Sequence, residues 1–275
     1  MRVSAGIHCD ASAVASRSGV WPKDTVKLSC QGLLSQNGIV MGSSFTPTPK
    51  DVERYRRLRA LGMDLNHRII KTIPRRAFEE VGEAIGIRHN DVLVFESKDM
   101  TSVLMDCCLY DWLENGKSVV QRYSEAHPAT PETDQGYLLQ AYLQAKYRVL
   151  VVQSAVPAAG LHCRDVLNNE ELFLMDLGLS QSAKDANAVF ATRTIPLGEY
   201  WMTSGAGLPI NSKQAARQAL SRIESEKSKW LEAPDSVALW VVRACLSAGA
   251  ADHVTHASAA AKSPEPRRRT RWRWL

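Results

Sequence analysis

The most unusual chemical grouping in the sequence is Asp106-Cys107-Cys108, three consecutive residues whose side chains can bind metals or act as nucleophiles. A second pair of such residues, His162 and Cys163, lies later in the chain. Thiolate and imidazole are ligands that zinc prefers, so Cys107, Cys108, His162 and Cys163 could together hold one ion. Neither pair has C-x₂-C spacing, and neighbours on a helix point about 100° apart. Free cysteines are commonly buried, so the alternative is that these four residues have only a structural role in the core. No cofactor is predicted.

A thiol of the same grouping could instead be a nucleophile if a general base lay beside it in the folded protein. Four histidines are candidates for that base: His67, His89, His127 and His162. No protease signature surrounds Cys107 or Cys108. An enzyme with a Cys/His site between the third predicted helix and the β-rich segment is therefore one alternative function.

The C-terminal tail is the second candidate site. It combines arginines with tryptophans: Arg267, Arg268, Arg269, Arg271, Trp272, Arg273 and Trp274. Arginine neutralises phosphates, and tryptophan stacks on bases or enters a membrane surface. The stretch 262–275 accounts for the whole net charge of +5, which leaves residues 1–261 neutral. Nucleic-acid association is therefore predicted, as a further alternative, through the tail and not through the folded body.

Motifs for phosphates and nucleotides are missing from the sequence. Gly205-Ala206-Gly207 lacks the third glycine and the following helix of a dinucleotide-binding loop, and its composition predicts a turn. No acidic and basic residues cluster in a way that indicates acid–base catalysis. These absences favour a non-enzymatic binding or adaptor protein that acts on a protein partner, while its ligand and pathway stay unknown.

A small antiparallel β-barrel of about five strands is predicted for residues 147–210. The apolar and β-branched segments are 147–156, 161–166, 171–177, 188–195 and 200–203. Turn residues separate them roughly every 8–12 residues, which is typical of small barrels and sandwiches. Connections this short cannot hold the crossover helices of a parallel sheet. The polar stretch 180–187 predicts a loop.

Helical periodicity flanks the barrel on both sides, so the fold class is predicted to be α+β. The first helix begins at Thr48, an N-cap residue followed by Pro49 in the first turn. Gly86 is predicted to cap the second helix. Five regions are predicted: a disordered segment or mis-assigned start at 1–47, helices at 48–146, the barrel at 147–210, a helical pair at 211–246 and a disordered basic tail at 247–275.

The overall composition is that of an ordinary globular protein, with 45% hydrophobic and 23% charged residues. No apolar run reaches the roughly 18 residues that a membrane helix needs, and the first residues lack the apolar core of a signal peptide. The six cysteines are scattered along 275 residues, which fits a reducing compartment. A cytoplasmic protein without a membrane span is therefore expected.

Segment 149–182 resembles a small barrel found in uncharacterised bacterial proteins, and it reads VLVVQSAVPAAGLHCRDVLNNEELFLMDLGLSQS. The upstream stretches LNHRIIKTIPRRAFEEVGEAIGI and VLMDCCLYDW are similar to the helical half of the same proteins. Some of these proteins carry a C-terminal SEC-C zinc-binding motif. The resemblance spans about residues 48–210 and implies a fold but no established activity. The cysteine cluster of the SEC-C motif is absent here, since no cysteine follows Cys245.

Overall fold

The computed structural model describes residues 45–95, 97–182, 187–210, 212–232 and 237–250. Its elements in chain order are α1 (Pro49–Ile70), α2 (Arg75–Ile85), β1 (Arg88–His89), β2 (Val92–Leu93), α3 (Lys98–Tyr110), α4 (Val119–Ala126), α5 (Asp134–Leu143), β3 (Lys146–Val156), β4 (Gly160–Asp165), β5 (Glu170–Met175), α6 (Leu177–Ser182), β6 (Val189–Pro196), β7 (Trp201–Ile210), α7 (Lys213–Glu232) and α8 (Val237–Ser247). The predicted α+β class is confirmed. No helix in the described ranges is long and apolar enough to span a membrane.

The ends of the first two helices follow from their capping residues. The Thr48 backbone N–H donates to the Asp51 carboxylate at 2.8 Å, and the Thr48 hydroxyl accepts from the Asp51 N–H, which forms a capping box. Pro49 occupies the first turn, where its missing N–H removes no intrahelical bond. At the end of α2, Gly86 has a φ of 81°, a left-handed conformation that glycine adopts without steric penalty. Both predicted caps are confirmed.

The five main strands close into a barrel with the order β3-β4-β5-β7-β6. The expectation that every pair is antiparallel is wrong, because β5 and β7 pair in parallel at Leu174 and Trp201. Strand directions can alternate around a closed ring only if the number of strands is even. With five strands, at least one neighbouring pair must run in the same direction, and here it is the pair that closes the barrel.

The last strand is longer than predicted and contains the glycines that were expected to form a turn. Gly207 pairs with Thr192 of β6, and the register between β6 and β7 shifts between Thr192 and Thr194. Gly205 has a φ of 99° at this irregularity, a conformation that residues with a Cβ rarely adopt. The glycines therefore bend a continuing strand.

A short helix, α6, replaces the first part of the loop predicted at 180–187. It forms because the Asp176 carboxylate accepts a hydrogen bond from the Leu179 N–H at 3.0 Å. The Ser180 hydroxyl donates to the Leu177 carbonyl at 2.9 Å, so a polar side chain bonds within the helix. Polar composition thus did not distinguish a capped helical turn from a loop.

Two clusters of buried side chains lie on the two faces of the barrel wall. The smaller cluster contains alternate residues of β3, β4 and β5, together with Phe190 of β6 and Ala188 just before it, which is the pattern of a barrel interior: Leu150, Val152, Leu161, Cys163, Leu172, Leu174, Ala188 and Phe190. The larger cluster joins the outer face, including Val149 and Ala191, to helix residues such as Leu104 and Cys107. The helices therefore pack against the outside of the barrel.

Gly160→Ala should destabilise the barrel. Gly160 opposes Met175 in the β4–β5 pair, and a Cβ at this position would collide with the Leu174 carbonyl. We expect the free energy of unfolding in urea to fall by about 1–3 kcal/mol, because the strands must separate. Gly207→Ala is the matched control, since a Cβ there meets no atom of the described residues within 4 Å beyond its chain neighbours. Its effect should stay within about 0.5 kcal/mol; equal stabilities of the two variants would contradict the close approach.

Candidate functional site

A cavity of about 380 Å³ lies where the helices meet the barrel. Its wall is formed by the end of α3, by residues of α4 and α5, by the start of β3, by β6 and by the start of α8. The aromatic and charged residues in the wall are Tyr110, Asp111, Tyr142, Lys146, Tyr147 and Arg193. The cavity therefore combines aromatic rings with charges of both signs.

Arg193 of β6 is the central side chain of this wall, and only 4% of it is exposed. Its Nε donates to the Asp106 carboxylate at 2.8 Å, and its Nη2 donates to the Asp111 carboxylate. The guanidinium lies 4.3 Å from the ring centroid of Tyr110 and 5.4 Å from that of Tyr147. One cation is thus held by two carboxylates and two aromatic rings.

The regular geometry of α3 and of the barrel brings these groups together. Asp106 and Tyr110 are four residues apart on α3 and so lie on one face of the helix, while Asp111 is the C-cap residue. Tyr147 of β3 and Arg193 of β6 are directly opposite in the antiparallel ladder. Directly opposite residues point to the same face of a sheet, which here is the face that meets α3.

The electrostatics of the site leave the carboxylates incompletely compensated. Burial raises the pKa of Asp111 to about 7; Arg193 opposes this shift and the neighbouring Asp106 adds to it. Burial by itself would lower the pKa of Arg193, but attraction to Asp106 and Asp111 outweighs it and the pKa is raised, so this cation stays charged. When both carboxylates are ionised, the group of three residues carries one net negative charge.

A metal ion is a poor fit to this group. Within the described residues, one set of possible ligands has all its ligand atoms within 4.8 Å of one another, and it consists of Asp106, Cys107 and Asp111. The Arg193 guanidinium already bonds to both carboxylates, so a metal would have to displace it. Burial also raises the pKa of Cys107 well above its usual range, which opposes the thiolate form that a metal requires.

The structure does not bring the four predicted zinc ligands together. Cys163 lies in the barrel interior, whereas Cys107 and Cys108 belong to the helical core outside the barrel. His162 is the next residue on β4, and its ring centroid lies 4.9 Å from that of Phe173, a residue of the outer cluster. Successive residues of a strand point to opposite faces, so His162 and Cys163 cannot act as one pair.

The predicted nucleophilic thiols lack the environment that activates a cysteine. Burial raises the pKa of both Cys107 and Cys108, and a nucleophile needs the thiolate. Among the histidines proposed as bases, His127 stacks on Tyr123 with ring centroids 4.2 Å apart. The tail residues proposed to bind nucleic acids, Arg267–Trp274, lie outside the described residues.

A second buried arginine, Arg148 of β3, lies at one end of the barrel. Its Nη1 is 2.6 Å from both the Asp165 and the Glu170 carboxylates, and its Nε donates to the Thr194 hydroxyl at 3.0 Å. Neither Arg148 nor Arg193 was identified from the sequence. The available signal was an arginine inside an apolar strand pattern, since a buried charge needs a partner.

The family comparison covers most of this architecture. Residues 49–236 match the model of a family of unknown function, DUF7986. This chain belongs to the DUF7986 family. The matched residues run from α1 to just before α8 and include Asp106, Asp111 and Arg193. No curated protein and no solved structure matches the chain, so the family membership brings no activity with it.

Arg193→Met should destabilise the protein strongly. The substitution leaves the carboxylates of Asp106 and Asp111 buried and facing each other without a cation. Removing one partner of a buried ion pair costs about 3–5 kcal/mol, and we expect a loss in that range in urea unfolding. Arg75→Met is the control, because the Arg75 side chain is 93% exposed and its surface pair contributes little. If Arg193→Met lowers the free energy of unfolding by less than about 1 kcal/mol, Arg193 is not the cation that compensates Asp106 and Asp111.

Asp111→Asn should change the pH dependence of stability. The raised pKa means that folded Asp111 keeps its proton up to about pH 7, whereas the unfolded chain releases it near pH 4. Between these values the group lowers the free energy of unfolding as pH rises, by up to about 1.4 kcal/mol per pH unit. Asparagine cannot ionise, so the stability of the variant relative to wild type should rise through this window and level off above it.

Urea unfolding between about pH 4 and pH 8 measures this difference. Glu125→Gln is the control, because Glu125 forms an exposed pair with Lys117 and its replacement should show no such trend. If the difference in free energy of unfolding between Asp111→Asn and wild type does not vary with pH, the pKa of Asp111 is not raised in the folded protein.

Proposed function

We propose that this member of the DUF7986 family is a non-enzymatic binding protein whose binding site is the cavity beside Arg193. The observation that supports the proposal is a cavity of about 380 Å³ whose wall contains Arg193 and Asp111, two members of the buried Asp106–Arg193–Asp111 group. Ligand sites are typically concave, about 300–1,000 Å³ in volume, and contain a few oriented polar groups that fix the position of the ligand. The hydrogen bond between Arg193 and Asp111 fixes the orientation of both side chains. Polar groups with a fixed orientation let a site select among ligands.

Binding fits the cavity better than the Cys/His enzyme alternative. The cavity wall formed by described residues contains no cysteine and no histidine, so it offers neither a thiol nor an imidazole to a substrate. The tyrosines in the wall stay protonated at neutral pH, since burial raises the pKa of Tyr110 and Tyr147. These groups can bind a ligand by hydrogen bonding and aromatic contact without transforming it.

One observation favours a second candidate, an enzyme that uses Asp111 as a general base. Burial raises the pKa of Asp111 to about 7, near the pH at which a general base works best. Its carboxylate accepts a hydrogen bond from Arg193, and this bond orients it. Binding stays the main proposal, because the described wall offers neither a thiol nor an imidazole that could act together with Asp111.

Several finer expectations stay proposals. They are a cytoplasmic location, a protein partner, and a bacterial origin like that of the SEC-C-related proteins that the barrel resembles. Nucleic-acid association through Arg267–Trp274 is likewise a prediction about residues outside the described ranges. No cofactor is proposed for the cavity, and zinc bound by Cys107, Cys108, His162 and Cys163 would require a different arrangement of these residues.

A cavity-filling variant tests the proposed binding site. Ala145 lines the cavity and is partly buried, so Ala145→Phe places a ring in the space that a ligand would occupy. A metabolite library is screened by thermal unfolding, because a ligand that binds the folded state raises Tm. We expect at least one compound that stabilises the wild type and loses about tenfold or more in affinity with Ala145→Phe.

Ala60→Phe is the matched control, since Ala60 is exposed on α1 and lies away from the cavity wall. Its ligand affinities should equal those of the wild type. The proposal fails if no compound stabilises the wild-type protein, or if stabilisation is as large in Ala145→Phe as in Ala60→Phe.

A further inference from the structure

A second, smaller cavity lies between α1 and β7. Its volume is about 40 Å³, and its wall has Tyr142 in common with the larger cavity beside Arg193. One water molecule needs about 10–15 Å³ of such space, so the smaller cavity holds a group of a few atoms. It therefore suits a single functional group, whereas the larger cavity suits a whole small molecule.

The wall of the smaller cavity consists of a helix face and an irregular stretch of strand. Arg59, Met63, Asn66 and His67 recur along α1 at intervals of three and four, so they lie on one face of the helix. Across the cavity, residues 204–206 of β7 are opposite a single residue of β6, because the register between the two strands shifts there. Two residues of this bulge line the cavity.

Arg59 is a partly buried cation without an acidic partner in the part of the chain that the structure describes. Its Nη1 donates to the Thr203 carbonyl, which fixes the side chain. Its Nη2 lies beside Gly205, where a Cβ would come within 3.2 Å of it, so the glycine leaves room for the guanidinium. The Asp176 carboxylate accepts instead from the Thr203 hydroxyl and the Leu179 N–H.

The polar side chains of this wall indicate an anionic ligand. Besides Arg59 they are Asn66, His67 and Ser204, which can all donate hydrogen bonds, and the described wall contains no aspartate and no glutamate. A guanidinium has five N–H donors, and the Thr203 carbonyl uses one of them. Charges that are partly removed from water are usually paired, and an anion in the cavity would pair with Arg59.

We propose that this smaller cavity binds a phosphate group, either free phosphate or the phosphate of a small molecule, with Arg59 as its cation. A phosphate group presents at least three acceptor oxygens, so several of the four donor side chains can bind it at once. The planar guanidinium also matches two phosphate oxygens in a bidentate bond. The inference goes beyond the binding function proposed for the cavity beside Arg193 and does not depend on it.

Isothermal titration calorimetry of the full chain with inorganic phosphate, at constant ionic strength, tests the site. Arg59→Met removes the cation and should weaken the affinity by about tenfold or more, because hydrogen bonds to charged groups are among the strongest in proteins. Arg56→Met is the matched control, since Arg56 is exposed on the same helix and outside the cavity wall. Both variants lose one positive charge, so a difference between them reports the local site and not the overall field.

Amide chemical shifts of the wild-type protein locate the binding without any substitution. Titration with inorganic phosphate should shift the amide signals of Ser204 and Gly205, with the Kd that calorimetry gives. Sodium chloride at the same ionic strength should leave these signals in place. This measurement decides the proposal if Arg59→Met fails to fold.

Glycerol phosphate distinguishes the two sources of the phosphate group. An affinity equal to or higher than that of inorganic phosphate supports a phosphate ester as the ligand, and an affinity at least about tenfold lower supports the free ion. The proposal is overturned if inorganic phosphate does not bind, if chloride produces the same shifts, or if Arg59→Met and Arg56→Met bind phosphate equally well. Shifts confined to residues outside the smaller cavity would also overturn it.

Discussion

The bond between Arg193 and its two carboxylates is the interaction on which the arrangement of the molecule depends. Arg193 belongs to the barrel and Asp106 to a helix, and the two residues are 87 positions apart in the chain. Taking three charges out of water is unfavourable unless they compensate one another, so a packing of α3 that separates Arg193 from Asp106 and Asp111 is disfavoured. The ion group thus specifies how the helical layer docks, while apolar burial on the outer barrel face supplies most of the driving force.

The pairing of the barrel strands is the second constraint, because it sets the position of Arg193, the cation of the ion group. The closed order places β3 beside β6, and this neighbourhood sets Tyr147 opposite Arg193. The parallel contact between β5 and β7 is the consequence of closing an odd number of strands. A barrel without that contact would leave two open edges, at β5 and β7.

The cavity that is proposed as the binding site lies where these two constraints meet. The cavity lies at the junction between helices and barrel, and the residues that stabilise the junction also form its wall. Asp111, a carboxylate held by Arg193, is also one of the residues that line the cavity. The site carries its charge within the folded body, although the body as a whole is neutral and the net charge of +5 resides in the tail.

By itself, the sequence determined the local features: the caps at Thr48 and Gly86, the positions of the five main strands and the α+β class. These features depend on interactions within a few residues, such as a capping hydroxyl or a β-branched run, and a linear pattern records them. Only the tertiary structure decided that Cys107 and Cys163 lie on opposite sides of the barrel wall and that Arg193 meets Asp106. Such pairings depend on which faces pack together across long stretches of chain, and the choice of a partner for a buried charge is made by that packing.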